Sequence, residues 1–299
     1  MRLVSAASHA APNSVMPSQP LILNLCVNGM VPMREMTPHV PITPAEIAED
    51  VLRCAEVGVT TVHMHARDEN GRPTHRKEVY AEIIGRIREH RPDLVLGVSC
   101  SGRERPEFEP RSEVLDLHGD LKPDMASLTT SSLNFARQAS INEPDTVQRL
   151  AERMAERGIM PELEIFDLGM ANYANYLLDR GILRGPLYAN LFFGNVATAQ
   201  CSLLEMAALA GAMPSGTTIA FGGIGRCQRS VTTTAIAMGF GVRVGIEDNI
   251  FLDDRRTVLA TNLTMVEQVH RLASIHERPI MTPQQFRDAF GMETVACLR

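Results

Sequence analysis

Eight short apolar runs, each followed by an amphipathic stretch of helical spacing, predict an α/β fold of the (β/α)8 TIM-barrel kind. Three observations carry this expectation. Runs and helices alternate from about residue 21 to the C-terminus, and no domain-sized change of composition interrupts them. The third is negative: an open, doubly wound sheet would carry a Gly-rich dinucleotide turn after its first strand, and GGIGR at 222–226 stands far from that place. The expected organisation is one barrel domain over 21–299 behind a leader over 1–20, MRLVSAASHAAPNSVMPSQP, whose Ala/Ser/Pro content suits a flexible segment. Met16 is a second candidate start.

The first run, LILNLCVNG, precedes TPAEIAEDVLRCAEVG, in which Thr43 is placed to cap a helix, Pro44 fits its first turn, and Ile47, Val51 and Leu52 recur at helical spacing. TTVHMHARD is the second strand, with a helix over 77–90; DLVLGVSCSG is the third, with a weaker helical segment over 111–121. MASLTT leads to a helix over 144–157, PELEIFD to one over 168–179 and LYANLFFG to one over 202–213. TTIAFGGIG leads to a helix over 229–240 and VRVGIEDN to one over 258–275.

A chain of 299 residues is ample for a large core. Its 44% hydrophobic and 21% charged residues are typical of a soluble globular protein, and no apolar run is long enough to cross a bilayer. A net charge of −6 with scattered basic residues gives no footprint for a nucleic-acid backbone, so a small-molecule partner is expected. The six cysteines lie far apart with no C-x-x-C pair, the pattern of free thiols in a reducing cytoplasm.

In this fold the loops at the carboxyl ends of the strands carry the chemistry, and polar residues accumulate there. Strand two carries His63 and His65, which project to one side while Val62 and Met64 face away. Strand three carries Ser99 and Ser101, strand four Ser127, Thr129 and Thr130, and strand five Glu162 and Glu164. In VRVGIEDN the alternation places Arg243, Gly245 and Glu247 on one face, with Val242, Val244 and Ile246 against the helices. An unpaired charge inside a barrel is prohibitively unfavourable, so Arg243 and Glu247 need partners. A zinc ion on His63, His65 and Glu247 satisfies three of these groups and leaves a position open, although iron(II), manganese or cobalt suits the same set. Asp248 pairs naturally with Arg243. A purely structural ion-pair network is the bland alternative. Glu164 is open to two uses, holding a water or substrate group, or supporting a metal histidine from behind. The hydroxyls of Ser99 and Ser127 suit a carboxylate. Cys100 has no base beside it and reads as packing.

HMHARDENGRP, KPDMASLTTSSLNF, PELEIFDLGM, GIGR and RVGIEDNI, in this order over most of the chain, resemble the β-keto acid cleavage enzymes. The resemblance implies a TIM barrel, usually a homotetramer, with zinc on His63, His65 and Glu247. It also implies an Arg243–Asp248 dyad, carboxylate-binding Ser99 and Ser127 with Gly102 beside them, and a role for the inner Glu164. The implied reaction takes a β-keto acid and acetyl-CoA to acetoacetate and a new acyl-CoA, with zinc taking up the charge that develops on deprotonation and Asp248 as the base. Aminohexanoate-cleaving members carry a glutamate where this chain has Val31, so the substrate is expected to end in an uncharged tail, or an anionic one if Arg34 turns inward. Two other readings stand beside this one: a metal-dependent hydrolase or aldolase on the same barrel, and a non-catalytic metal-binding scaffold. Acetyl-CoA dependence separates the first of these from the acyl transfer.

Overall fold

The structure, a computed structural model, describes residues 19–293, so the expected leader falls outside the described residues except for Gln19 and Pro20. Eight parallel strands close into a barrel: β1 (Leu23–Cys26), β2 (Thr61–Met64), β3 (Val95–Val98), β4 (Met125–Thr129), β5 (Met160–Ile165), β6 (Tyr188–Phe193), β7 (Thr218–Gly223) and β8 (Gly241–Val244). Every strand pairs with its chain neighbours, and β8 closes on β1 with Asn24 beside Arg243. The expected barrel is the observed one.

The helices are α1 (Pro44–Val57), α2 (Lys77–His90), α3 (Phe108–Ser112), α4 (Pro144–Arg157), α5 (Leu168–Asp179), α6 (Leu203–Ala212), α7 (Cys227–Ala237), α8 (Asn262–Ile275) and α9 (Pro283–Phe290). α1 starts as expected, with Thr43 and Glu46 in a reciprocal capping box and Pro44 at the first turn. The segment read as one weak helix over 111–121 is α3 followed by two 3-10 turns, Glu113–Asp116 and Gly119–Leu121. α8 begins four residues later than expected. The Asp253 carboxylate accepts from the Thr257 and Val258 amides and makes a loop of that stretch, and Thr261 then caps the helix. α9 was not expected. Its Thr282 box and Pro283 start it, its Phe286 packs edge-on against Tyr188, and its buried Arg287 binds the carbonyls of Asp93 and Leu94 beneath the barrel.

Apolar strand residues face the helices in one continuous core, while a smaller cluster including Ile22, Val95, Met125, Tyr188 and Phe286 fills the amino-terminal end of the barrel. Among the described residues no helix is long and apolar enough to cross a membrane.

Candidate active site

The alternation on β2 brings His63 and His65 together as expected: their Nε2 atoms lie 3.2 Å apart although β2 itself ends at Met64. Glu247 arrives from the opposite side of the β1 edge, with Oε1 3.2 Å from His65 Nε2 and Oε2 3.9 Å from His63 Nε2. β8 is shorter than the sequence pattern implied and ends at Val244, so Glu247 and Asp248 stand in the turn that follows, where the Asp248 and Asn249 amides both donate to the Gly245 carbonyl. Ile246 accordingly packs with Val40, Ile42 and Ile250 rather than against a helix. Gly29, at φ +60°, lets this turn approach, because a Cβ there would collide with the Glu247 side chain.

Among the described residues, these three form the one group of His, Cys, Asp and Glu whose ligand atoms lie mutually within 4.8 Å. The donor set fits a divalent cation. Glu247 Oε2 is buried with no hydrogen-bond partner, and the two imidazole nitrogens point at each other rather than at any protein donor. Burial lowers the His65 pKa to about 4 against the opposing pull of Glu247, so the ring is neutral, the form that ligates a metal.

Behind this group lies a residue to which the sequence reading gave no role. The fully buried Glu162 places Oε2 2.8 Å from His63 Nδ1, while Oε1 accepts from the side-chain amides of Asn24 and Asn190, both at 2.7 Å. Burial alone would raise its pKa, but His63, Arg243 and these donors hold it at about 2. Burial likewise works to depress His63, and the carboxylates of Glu162 and Glu247 override it and raise the pKa. Glu162, not Glu164, stands behind His63. Glu164, two residues along the same strand, lines the cavity and accepts from the Thr129 hydroxyl at 2.6 Å. Burial outweighs nearby cations and raises its pKa.

Arg243, 1% exposed, is the hub. Its Nε donates to Asp248 Oδ2 at 3.1 Å, the expected pair, and its Nη2 lies 2.9 Å from Glu247 Oε1, a second partner the sequence reading did not name. The Cys26 thiol also donates to Asp248 Oδ2, at 3.1 Å. Burial and the neighbouring Asp248 push the Cys26 pKa far up, which keeps the thiol protonated. Both side-chain contacts thus fall on one Asp248 oxygen and leave the other toward the cavity that Asp248 lines. Burial and Glu247 raise the Asp248 pKa despite Arg243, so the guanidinium is outweighed rather than dominant.

His65, Glu164, Arg243, Glu247 and Asp248 line a cavity of about 260 Å³ at the carboxyl ends of the strands, while His63, Glu162 and Cys26 stay behind its wall. Ser99 lies on its wall. Ser127 does not: its hydroxyl accepts from the Cys100 amide at 3.0 Å, beneath the cavity floor. Gly102 also stays off the wall, where a Cβ would strike the Ile141 carbonyl and the Arg111 guanidinium. Cys100 is buried among apolar residues, its thiol pushed up to about 12, in keeping with a packing role. Arg67, fully buried, fastens the loop after β1 by donating to the carbonyls of Gly29 and Pro32, which sets Met30, Val31 and Met36 on the cavity wall. Arg34 is turned away and pairs with Glu46. Two arginines absent from the sequence reading, Arg103 and Arg256, line the cavity instead. All described cysteines are free, and only the fold brings Cys201 beside Cys227, with sulfurs 2.6 Å apart.

Residues 20–292 match the family pattern of the beta-keto acid cleavage enzymes. The 3-keto-5-aminohexanoate cleavage enzyme of Fusobacterium nucleatum is 32% identical over 275 residues, 91% of this chain and 98% of that protein. The 3-oxoadipate:acetyl-CoA acetyltransferase of Cupriavidus necator is 33% identical over 282 residues, 93% of this chain and 97% of that protein. A solved ternary complex of ObcA with a C4-CoA adduct and oxalate shares the fold, with a TM-score of 0.74 at 21% identity over 85% of this chain and 68% of that one. The chain belongs to the beta-keto acid cleavage enzymes.

Proposed function

We propose that this chain is a metal-dependent enzyme, zinc being the preferred ion, in which Asp248 moves the proton and the cavity around it binds a β-keto acid. As a member of its family it is a CoA-dependent acyltransferase that cleaves a β-keto acid with acetyl-CoA. One observation supports the reading above all others. A three-ligand group with an unsatisfied carboxylate oxygen adjoins a dyad, Arg243 and Asp248, whose acid has one oxygen turned to the same cavity.

His63, His65 and Glu247 would hold the ion, which would supply Lewis acidity to the keto acid when bound. Asp248 takes a proton from the carbon between the keto and carboxylate groups, and its pKa, raised by burial and Glu247, suits an acceptor better than that of a fully solvated carboxylate. Arg243 orients Asp248 and Glu247 together. The resulting carbanion attacks the acetyl-CoA carbonyl, forming a carbon–carbon bond and expelling the CoA thiolate. The thiolate adds to the original keto carbon, the older carbon–carbon bond breaks, and the acetoacetate carbanion recovers the proton from Asp248. Atoms balance as β-keto acid plus acetyl-CoA to acetoacetate plus acyl-CoA. Ser99 and Glu164 are assigned to the substrate from the cavity wall, and Ser127 and Gly102 to positioning the loop after β3.

A homotetramer is also proposed. Val196, Leu203 and Leu204 are exposed at 68%, 73% and 80%, an apolar surface at the start of α6 that a second copy would cover.

Mass-spectrometric detection of acyl-CoA products from a panel of β-keto acids with acetyl-CoA tests the reaction. Stoichiometric acetoacetate is the expected result. Metal-dependent turnover without acetyl-CoA would instead favour a hydrolase or aldolase.

A further inference from the structure

Arg103 is a cation in the cavity wall without an anion. It stands in the loop after β3, its Nε is buried with no hydrogen-bond partner, and no carboxylate lies within 4.0 Å of it among the described residues. What holds the guanidinium is an aromatic face, with its central carbon 3.7 Å from the centroid of Phe135. The acids of the cavity wall are engaged elsewhere, Glu247 with His65 and Arg243, Asp248 with Arg243, and Glu164 with Thr129, and the adjacent Glu104 is exposed and makes no ion pair with it. A partly buried charge with no counter-ion is unfavourable in the free protein and is relieved when an anion arrives.

The position of Arg103 relative to the reacting centre decides which anion. Phe135 meets Phe166 edge-on at 5.8 Å, Phe166 stacks on Phe192 at 4.4 Å, and the guanidinium of Arg243 lies 5.0 Å from Phe192. All five residues line the cavity. One wall is therefore an aromatic row with a guanidinium at each end: Arg243, occupied by Asp248 and Glu247, and Arg103, with no carboxylate partner. A flat apolar wall suits the methylenes of an acyl chain, and its far end offers a forked donor.

The loop is built to keep that donor in place. Fully buried Arg111 donates to the Cys100 carbonyl at 2.8 Å and to Asn142 Oδ1 at 2.7 Å, tying the loop after β3 to the one after β4. Gly102 allows the two loops to touch, and Gln138 donates to the Arg103 carbonyl. Such preorganisation favours recognition by lowering the ordering penalty on binding.

We propose that Arg103 receives a second carboxylate at the far end of the β-keto acid, so that this enzyme prefers 3-oxo dicarboxylic acids over acids with uncharged tails. This rests on the β-keto acid reading and replaces the neutral tail expected from Val31, since Arg103, rather than Arg34, supplies an inward cation at the end of the aromatic row.

The test compares adipate with hexanoate as unreactive ligands, and 3-oxoadipate with 3-oxohexanoate as substrates, on the metal-loaded wild type and the Arg103→Met and Arg103→Lys variants. Calorimetry should give a dissociation constant for adipate at least about 10-fold below that for hexanoate in the wild type, a difference that Arg103→Met abolishes. The kcat/KM ratio of diacid to monoacid should fall by about 10–100-fold in Arg103→Met, with partial recovery in Arg103→Lys. Equal binding of the two acids by the wild type overturns the proposal without reference to any variant. A rise in the KM for acetyl-CoA with the diacid preference intact in Arg103→Met also overturns it, and assigns Arg103 to a CoA phosphate. If no acid is turned over with acetyl-CoA yet adipate binds through Arg103, the reaction reading fails while the anion receptor stands.

Discussion

Glu162 Oε2 lies 2.8 Å from His63 Nδ1, and this contact decides which nitrogen of His63 faces His65 and Glu247. With Nδ1–H donated to the carboxylate, the Nε2 lone pair is left toward His65 and Glu247. The two asparagines on Glu162 Oε1 keep the carboxylate from rotating away.

Replacing that carboxylate by an amide should therefore act on metal affinity. Glu162→Gln is expected to bind zinc about 10–100-fold more weakly, the range for loss of a partner behind a ligating histidine. Chelator competition measures this. An unchanged affinity would reduce Glu162 to a structural group.

The ligands themselves should be separable from the fold. His63→Ala, His65→Ala and Glu247→Ala are each expected to lose metal while retaining the far-ultraviolet circular dichroism of the wild type, because an open catalytic site contributes less to folding than a closed structural one. Elemental analysis showing full occupancy in all three variants would remove them from the metal site.

Asp248→Asn should keep metal and substrate binding and lose turnover by about 10²–10⁴-fold, the scale of removing a general base. Single-turnover kinetics with metal analysis checks both halves. Near-normal turnover would move the proton to Glu164, the other acid on the cavity wall whose pKa burial raises.

Far from the site, Glu46 predicts a pH effect on stability. Burial works against its ionisation, but the Arg34 side chain and the amides of Thr43 and Ile42 outweigh it and hold the pKa at about 2, below the ordinary 4.5. A folded value below the unfolded one contributes stability that is fully present above about 4.5 and is lost as pH falls toward about 2. Both members of the pair are more than a third exposed, so screening limits the capping box and ion pair together to about 1 kcal/mol. Glu46→Gln should be destabilised by about that much at roughly pH 7 and by less at roughly pH 3. Urea unfolding at the two pH values checks the sign, and an equal loss at both would discount the ionised form.

For assembly, Leu203→Asp combined with Leu204→Asp should lower the mass measured by light scattering if α6 lies in a subunit interface, and a wild-type monomer would refute the tetramer outright.

What the sequence determined by itself was local in origin. The period of apolar residues along each run marked the strands and most of the helices, because burial of one face or stripe imposes that period before any tertiary contact forms. The same alternation made His63 and His65 neighbours, and adjacency joined Arg243 to Asp248. Only the tertiary structure decided relations between strands. The stagger of a closed barrel sets which residues of different strands share a level, and no period within β5 reveals that Glu162 rather than Glu164 stands at the level of His63. Cys26 reaches Asp248 from 222 positions away, and α9 finds its place against the carbonyls beneath β3. Arg34 and Arg103 show the division most plainly. Both are loop arginines with nothing in their immediate sequence to tell them apart, and the choice fell to the neighbouring acids: Glu46 draws Arg34 outward, while Arg103, with Phe135 beneath it and no carboxylate in reach, stays facing the cavity.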